Sequence, residues 1–229
     1  MRTIQKPAGL RKATEITARP VRMLVYGEPG AGKTTLIGTS PKPVLVIDFE
    51  AGADIRLSGQ EGIDILSVYS YQELKEALPW IKEQAEYKTV AFDGFSLFVS
   101  QLMREILEER AKPSPTFYEW GLLTQRIKEI ILSLLKPSTH TIFTALLKKR
   151  EEDGKLVWIG PDLPKKIRET LRAIVDLEGL VWVDEGQRYL SFSSPKGVAE
   201  VKDRSGKLSA KEEPDISKLL QKLFGRYGQ

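Results

Sequence analysis

The stretch GEPGAGKTT, residues 27–35, constrains this chain more than any other part of the sequence. It follows the apolar run VRMLVY and fits the pattern G-x-x-x-x-G-K-[ST]. Glycines at these positions let backbone N–H groups turn inward around phosphate oxygens, and a helix that follows points its positive end at the same place. Because the stretch lies between a predicted buried strand and a predicted helix, it is predicted to be a phosphate-binding loop.

The chemistry of this loop assigns roles to two of its side chains. Lys33 is expected to reach the terminal phosphates, and the hydroxyl of Thr34 is expected to bind Mg²⁺. The residues predicted to contact the nucleotide are Gly27, Glu28, Pro29, Gly30, Ala31, Gly32, Lys33, Thr34 and Thr35.

Length and composition fit one globular core with appendages. The chain has 229 residues, of which 41% are hydrophobic, so it can bury a sizeable core. It has no cysteine, which excludes disulfides and thiolate metal sites. No signal-like start or long apolar run is present, so we expect a cytoplasmic protein without a membrane partner.

Short apolar runs alternate with helical patterns through the first two thirds of the chain. This alternation predicts a mostly parallel sheet flanked by helices. A helix over 70–86, with a capping box at Ser70 and Glu73, should be bent or split by Pro79. The predicted strands are 21–26, 43–48, 63–68, 89–93 and 139–147.

The pattern changes after residue 147, where short strand-like runs are separated by glycine-containing turns. We therefore predict an α/β core over 21–208 that ends in a β-hairpin extension, followed by a helical tail over 209–229. Residues 1–20 form a predicted basic arm. Residues 1–22 carry six basic side chains against Glu15 alone, so this arm could contact nucleic acid or a neighbouring subunit, or could be a solvated terminus.

The Mg²⁺ needs a second anchor, which is expected to be an acid at the end of an apolar strand. Asp93 ends the run TVAFD and is the predicted metal residue, with Asp48 at the end of PVLVID as the competitor. Two strands separate the phosphate loop from Asp93, and the chain has no N-K-x-D motif for reading guanine. Both observations favour ATP over GTP.

A catalytic carboxylate is predicted just beyond the second strand. Gly94 follows Asp93, so the glutamate that many motor ATPases carry at that position is missing. Glu50, in the segment VLVIDFEAGAD, lies at the carboxyl edge of the predicted sheet, where ligands bind in such folds. It is therefore the predicted group that orients or deprotonates the attacking water.

The chain resembles the RecA-like recombinase superfamily in these features. A strand after the phosphate loop ends in D-x-E, here Asp48-Phe49-Glu50, and the resemblance is closer still to short RecA-like ATPases of bacteriophages. Those phage proteins, which include single-strand annealing proteins, share a VLVID-x-E-x-G segment and a late K-D-R-x-G, here VKDRSG at 201–206. The similarity covers roughly residues 21–208 and implies a RecA-like P-loop NTPase core.

The resemblance also implies assembly and DNA binding. RecA-like proteins form filaments or rings with ATP between subunits, and basic residues of the neighbour touch the γ-phosphate. Lys202 and Arg204 would be such trans-acting groups, or a pair of surface cations beside Asp203. Thr144 is the nearest equivalent of the polar residue that couples nucleotide to DNA in RecA. The chain lacks the large C-terminal domain of full-length recombinases.

Two segments are candidates for the DNA contact that the resemblance implies. Residues 111–121 carry three aromatic side chains, which could stack on bases or could pack the next helix onto the core. Residues 148–166 form either a phosphate-tracking segment or a solvated hairpin. The predicted DNA-binding residues there are Lys148, Lys149, Arg150 and Lys155.

Together these features predict an ATP-hydrolysing, Mg²⁺-dependent RecA-like protein that binds single-stranded DNA and promotes annealing or homologous recombination. A phage origin, self-assembly, and recombination or single-strand-binding partners are implied by the resemblance. The alternatives are a regulatory ATP-binding switch with a protein partner, and a helicase loader or packaging accessory.

Overall fold

The computed structural model describes residues 10, 12, 18–84, 86–134, 138–194 and 197–225. The strands are β1 (Arg22–Gly27), β2 (Val44–Asp48), β3 (Ile63–Ser67), β4 (Thr89–Asp93), β5 (His140–Glu152), β6 (Lys155–Pro161), β7 (Leu177–Asp184), β8 (Gln187–Ser191) and β9 (Lys202–Asp203). The helices are α1 (Lys33–Ile37), α2 (Ala53–Leu57), α3 (Tyr71–Glu83), α4 (Phe95–Glu109), α5 (Phe117–Leu134), α6 (Lys165–Ile174) and α7 (Ile216–Phe224).

The strands form a mostly parallel sheet in the order β3-β2-β4-β5-β1-β7-β8. Only β8, β6 and β9 run antiparallel to their neighbours among the described strands. Gly27 pairs with Leu146, and Asp48 pairs with Asp93, so the carboxyl ends of four central strands meet at one edge. This sheet, flanked by helices and extended by antiparallel hairpins, confirms the predicted RecA-like P-loop NTPase fold class.

Alternating side chains of the central strands build a hydrophobic cluster on each face of the sheet. Leu24, Leu45 and Phe92 face one cluster, which α3, α4, α5 and α6 cover. Val25 and Val46 face the other, which contains buried residues of α1, α2 and α7. Burial on both faces is why the central strands read as continuous apolar runs rather than as alternating patterns.

One prediction about local structure was wrong, and the structure tests parts of two others. The strand predicted to end at 147 continues to Glu152 and turns through Asp153 and Gly154 into β6. Pro79 does not split α3, which continues through it to Glu83. One half of the capping box is present, because Ser70 accepts a hydrogen bond from the backbone N–H of Glu73 at 3.1 Å. The Glu73 carboxylate accepts the N–H of Tyr69 at 2.7 Å, one residue before the N-cap.

The two ends of the chain lie differently with respect to the core. Most of the predicted basic arm falls outside the described residues, and within them Arg19 pairs with Asp176 at 2.7 Å. Helix α7, in the predicted tail, packs buried leucines into the core rather than standing apart from it.

His140 is buried at the start of β5, where its Nδ1 accepts the N–H of Val21 and burial lowers its pKa to about 4. No helix in the described ranges is long and apolar enough to cross a membrane.

Candidate nucleotide-binding site

Lys33 is held inside the phosphate loop by the loop's own backbone. Its Nζ donates hydrogen bonds to the carbonyl oxygens of Gly27 and Glu28, at 3.1 and 3.0 Å. Burial lowers the pKa of Lys33, while the nearby carboxylates of Glu50 and Asp93 raise it. The ammonium group is therefore partly desolvated and fixed in position before a phosphate arrives, which favours strong binding of an anion.

The two predicted metal residues are hydrogen-bonded to each other. Thr34, in the first turn of α1, donates from Oγ1 to Asp93 Oδ2 at 2.7 Å. The other carboxylate oxygen accepts a hydrogen bond from Thr144 Oγ1 at 2.5 Å, and the Thr144 oxygen itself accepts the N–H of Gly94 at 2.9 Å. Asp93 is therefore oriented from two sides, at the end of β4 and beside the phosphate loop.

Thr144 is a site residue whose contact the sequence analysis did not predict. The resemblance makes it only the nearest equivalent of a coupling residue, yet its hydroxyl bonds both Asp93 and the backbone N–H of Gly94 at the start of α4. The signal in the sequence is a polar side chain inside the apolar run TIFTALL. A buried hydroxyl needs a hydrogen-bonding partner, and Asp93 on the neighbouring strand supplies it.

Asp48, the alternative metal residue, has a different role. Its carboxylate accepts hydrogen bonds from the backbone N–H groups of Glu50, Gly52 and Ala53 at 2.9, 3.0 and 2.9 Å. It is also almost fully buried. Three backbone N–H groups of the turn after β2 donate to its two oxygens. Asp48 therefore shapes the backbone that carries Glu50.

Glu50 projects from that turn to the place left open by Gly94. A Cβ atom on Gly94 would lie 2.3 Å from Glu50 Cγ, and Gly94 has φ of 83°. Because Gly94 has no side chain, the carboxylate of Glu50, two residues after β2, can occupy the space beside the end of β4. Burial raises the pKa of Glu50, repulsion from Asp93 adds to this, and attraction to Lys33 opposes it.

The donor set fits Mg²⁺. A threonine hydroxyl and one carboxylate are hard oxygen ligands, and Mg²⁺ is commonly held by one or two carboxylates together with substrate phosphates. No group of three or more histidine, cysteine, aspartate or glutamate side chains that could hold a metal occurs among the described residues. The residues present therefore suit a cation that arrives with a nucleotide, with Thr34 and Asp93 as its protein anchors.

Comparison with known proteins assigns the chain to a family. A family profile for an AAA domain (AAA_24) matches residues 19–205. The chain belongs to this AAA-domain family. The match includes the phosphate loop, so the chain is an ATP-binding P-loop ATPase domain of AAA type. A search of curated proteins found no match.

Solved structures similar to this AAA-domain protein share little sequence with it. A KaiC-like protein from the archaeon Pyrococcus horikoshii OT3 is 15% identical, with a TM-score of 0.46, over 75% of this chain and 77% of that one. An ATPase from the type III secretion system of pathogenic bacteria is 15% identical, with a TM-score of 0.49, over 72% of this chain. The alignment spans 52% of that ATPase, about half of its length.

Lys202 and Arg204 lie away from the phosphate loop of their own chain. They are beside the start of β7, whereas the loop follows the carboxyl end of β1. Lys202 Nζ donates to the carbonyl oxygens of Arg172 and Val175 at 2.6 and 2.7 Å, and Arg204 pairs with Asp176 at 2.9 Å. Neither side chain serves the site in cis, and a role in trans stays a prediction.

The four predicted DNA-binding cations lie on the β5–β6 hairpin, which leaves the sheet at the edge that carries the phosphate loop. Lys148 pairs with Asp162 at 3.1 Å, and Lys149 pairs with Glu28 of the loop at 2.6 Å. Arg150 lies 3.8 Å from Glu152, and Lys155 begins β6 at the tip. The cations therefore belong to a β-hairpin, whose register shifts between Arg150 and Glu151, and not to a loop.

The aromatic side chains at the start of α5 do not pack that helix onto the core. Phe117, Tyr118 and Trp120 are 86%, 60% and 43% exposed. Glu119, between them, is the buried residue, and it accepts hydrogen bonds from Arg110 and the backbone of Thr116 at 2.8 Å each. The interpretation as core packing is therefore wrong for Phe117 and Tyr118, whose exposed rings lie against the cationic side chains of Lys166 and Arg110.

Proposed function

We propose that this AAA-domain ATPase binds single-stranded DNA, couples that binding to ATP hydrolysis, and promotes annealing or homologous recombination. The observation that carries the proposal is the path of β5. Its residue Thr144 bonds the metal acid Asp93, and the same strand then places Lys148, Lys149 and Arg150 on a hairpin outside the sheet. One rigid element thus links the nucleotide site to a row of cations.

The hairpin cations are arranged so that a phosphate backbone can compete for them. The side chains of the pairs Lys148–Asp162, Lys149–Glu28 and Arg150–Glu152 are all about half exposed or more. Exposed ion pairs contribute about 0–1 kcal/mol each, so the carboxylates hold these cations only weakly. DNA phosphates can replace these carboxylates as partners of the cations, and the release of counterions then favours binding.

A cleft beside the hairpin gives the bases a place to stack. It has a volume of about 460 Å³, and its walls include Trp120 from α5 and Lys148 from β5. Phe117 lies nearby in sequence, with the ammonium group of Lys166 5.4 Å from its ring centroid. Exposed aromatic rings interleaved with cations are the usual arrangement for sequence-tolerant binding of single strands.

ATP turnover with and without single-stranded DNA, at two salt concentrations, tests the proposal. We expect DNA to stimulate turnover, and we expect the stimulation to weaken as salt rises. Turnover that ignores DNA but changes with a protein partner would instead support the regulatory switch or the helicase-loader and packaging roles. The resemblance to phage proteins favours a phage-encoded protein that acts in the bacterial cytoplasm with recombination or single-strand-binding proteins.

Removing the hairpin cations should weaken DNA binding and its salt dependence together. In a variant carrying Lys148→Ala, Arg150→Ala and Lys155→Ala, the slope of log K against log salt should fall in magnitude by about 2, since each single-strand phosphate contact contributes about 0.7. Fluorescence anisotropy with a labelled oligonucleotide at several salt concentrations measures this slope.

A matched control removes the same charge elsewhere on the protein. Lys75, Lys82 and Lys88 are exposed residues within or just after α3, so their triple alanine variant changes the net charge equally. It should keep the wild-type slope. An equal loss in both triple variants would mean that DNA responds to overall charge and not to the hairpin.

We further propose that copies of the chain assemble into a ring or filament, with Arg204 of one copy acting on the nucleotide of the next, while Lys202 of the same segment stays bonded to the carbonyl oxygens at the end of α6. Arg204→Ala and Lys33→Ala are each expected to be inactive, but a mixture should recover ATP turnover. In the mixture, a subunit with an intact phosphate loop can receive Arg204 from a Lys33→Ala neighbour.

The mixing measurement needs a check on folding, because Arg204 also pairs with the buried Asp176. Thermal unfolding of the Arg204→Ala protein should stay cooperative. A folded variant whose mixtures are as inactive as the separate proteins would count against action across an interface.

A further inference from the structure

The phosphate pocket has two chemically different ends. Its volume is about 370 Å³. Lys33, Thr34 and Glu50 mark the end where the terminal phosphate and its metal ion belong. Arg56 and Arg188 line the same pocket, beside Thr35 and Gly32 of the loop. Neither arginine has a role in the predicted chemistry of the terminal phosphate.

Arg188 reaches the loop from β8, at the far edge of the sheet. Leu190, on the same face of that strand, is buried in the core, and this anchors the strand next to the loop. A Cβ atom added to Gly32 would lie 3.1 Å from both Cδ and Nε of Arg188. Within the described part of the chain, the Arg188 guanidinium makes no hydrogen bond or ion pair.

Arg56 comes from the opposite side, on α2. Its Nε donates to Thr35 Oγ1 at 2.5 Å, which holds the guanidinium at the rim of the pocket. The charged residues that line the pocket are then Lys33, Arg56 and Arg188 against Glu50 alone. The pocket lining thus carries three cations and one carboxylate beside the N–H donors of the loop, an arrangement that favours a bound anion.

We propose that Arg56 and Arg188 bind the inner phosphates and the nucleoside end of the nucleotide from within the same chain. A planar guanidinium can bond two phosphate oxygens or stack on a base, so the pair forms a clamp over the nucleotide. This clamp acts on groups that nucleoside diphosphates and triphosphates share. The clamp therefore contributes equally to the binding of the diphosphate product and of the triphosphate substrate. The inference rests on the nucleotide-binding part of the function, not on DNA binding.

Calorimetric titration of Arg188→Ala with ADP and with a non-hydrolysable ATP analogue, without DNA, tests the clamp. The dissociation constant should rise about tenfold for both nucleotides, as expected for one lost charge-assisted contact. The ratio of the two constants should stay at its wild-type value. In steady state, KM should rise while kcat changes by less than about twofold, because the lost contact is uniform binding.

Arg104→Ala is the matched control, since Arg104 is an exposed arginine on α4 that pairs only with Glu108 among the described residues. It should bind both nucleotides as the wild type does. Unchanged binding by Arg188→Ala would overturn the proposal, and a loss confined to the ATP analogue would reassign Arg188 to the terminal phosphate. A wild-type protein that binds nucleotide but ignores DNA would refute the DNA proposal and leave the clamp intact.

Discussion

Replacing Lys33 with alanine is expected to weaken nucleotide binding by at least a hundredfold and to abolish ATP turnover. The ammonium group is partly desolvated and is fixed by the carbonyl oxygens of Gly27 and Glu28. A preorganised charge of this kind needs little rearrangement to bind a phosphate, and each hydrogen bond to a charged group contributes about 1.5–3 kcal/mol. The variant also leaves Glu50 and Asp93 without their nearest cation, which repels an incoming anion further.

Calorimetric titration with ADP and a coupled assay of ATP turnover measure the two effects separately. Lys75→Ala is the matched control, because Lys75 is an exposed lysine on α3, and it should behave as the wild type. Wild-type turnover in the Lys33→Ala protein would remove the assignment of the phosphate loop itself.

The loop and the central strands could be predicted from sequence because their signals are local. A buried parallel strand reads as a short apolar run, and a glycine-rich stretch between strand and helix has few other structural explanations. Asp93 and Glu50 each follow such a run, so their position at one edge of the sheet follows from the parallel arrangement alone. The strand register places Asp48 directly beside Asp93.

That arrangement is also why Asp48 remained a competitor of Asp93 when only the sequence was considered. Both are buried acids at the carboxyl ends of adjacent strands, and a strand pattern by itself does not distinguish them. What separates them is the backbone around each one. The turn after β2 aims three N–H groups at Asp48, whereas Asp93 meets the hydroxyl groups of Thr34 and Thr144.

The region after residue 147 was harder to predict, because its elements depend on distant contacts. β5 continues through the charged run to Glu152 because β6 pairs with it, although the apolar pattern ends at Leu147. Helix α6 was not predicted, although Ile167 and Leu171 are spaced one turn apart and are buried. The prolines and glycines on both sides of that segment indicate turns, and the short helical periodicity between them is hard to recognise.

Lys202 and Arg188 show that functional residues, too, are hard to place from sequence patterns. Lys202 belongs to a family-like motif, yet its ammonium group caps the carbonyl oxygens at the end of α6 in its own chain. Arg188 belongs to no motif, yet the β7–β8 hairpin carries it to the phosphate loop. Such placements depend on the packing of whole elements, which single-sequence patterns do not encode.

Replacing Glu50 with glutamine is expected to preserve ATP binding and to lower turnover by on the order of a hundredfold or more, as for the loss of a general base. Glutamine keeps the shape of the side chain but cannot accept a proton from water. The binding constant for an ATP analogue and a single-turnover measurement of hydrolysis separate the two steps. Glu108→Gln on the surface of α4 serves as the control, and full turnover in Glu50→Gln would assign the base to another residue.

The pH dependence of ATP turnover tests the role of the Glu50 carboxylate independently. Burial and the charge of Asp93 raise the pKa of Glu50, so the ionised form that accepts a proton is complete only at a higher pH than for an ordinary glutamate. The acid limb of kcat/KM, which reports the free enzyme, should therefore lie above the usual value of about 4.3 and should be absent from the residual rate of Glu50→Gln. Gly94→Ala should reproduce the loss, because its methyl group would lie 2.3 Å from Glu50 Cγ and would displace that side chain. If Gly94→Ala turned over ATP at the wild-type rate with an unchanged acid limb, Glu50 would not act from the position that the structure gives it.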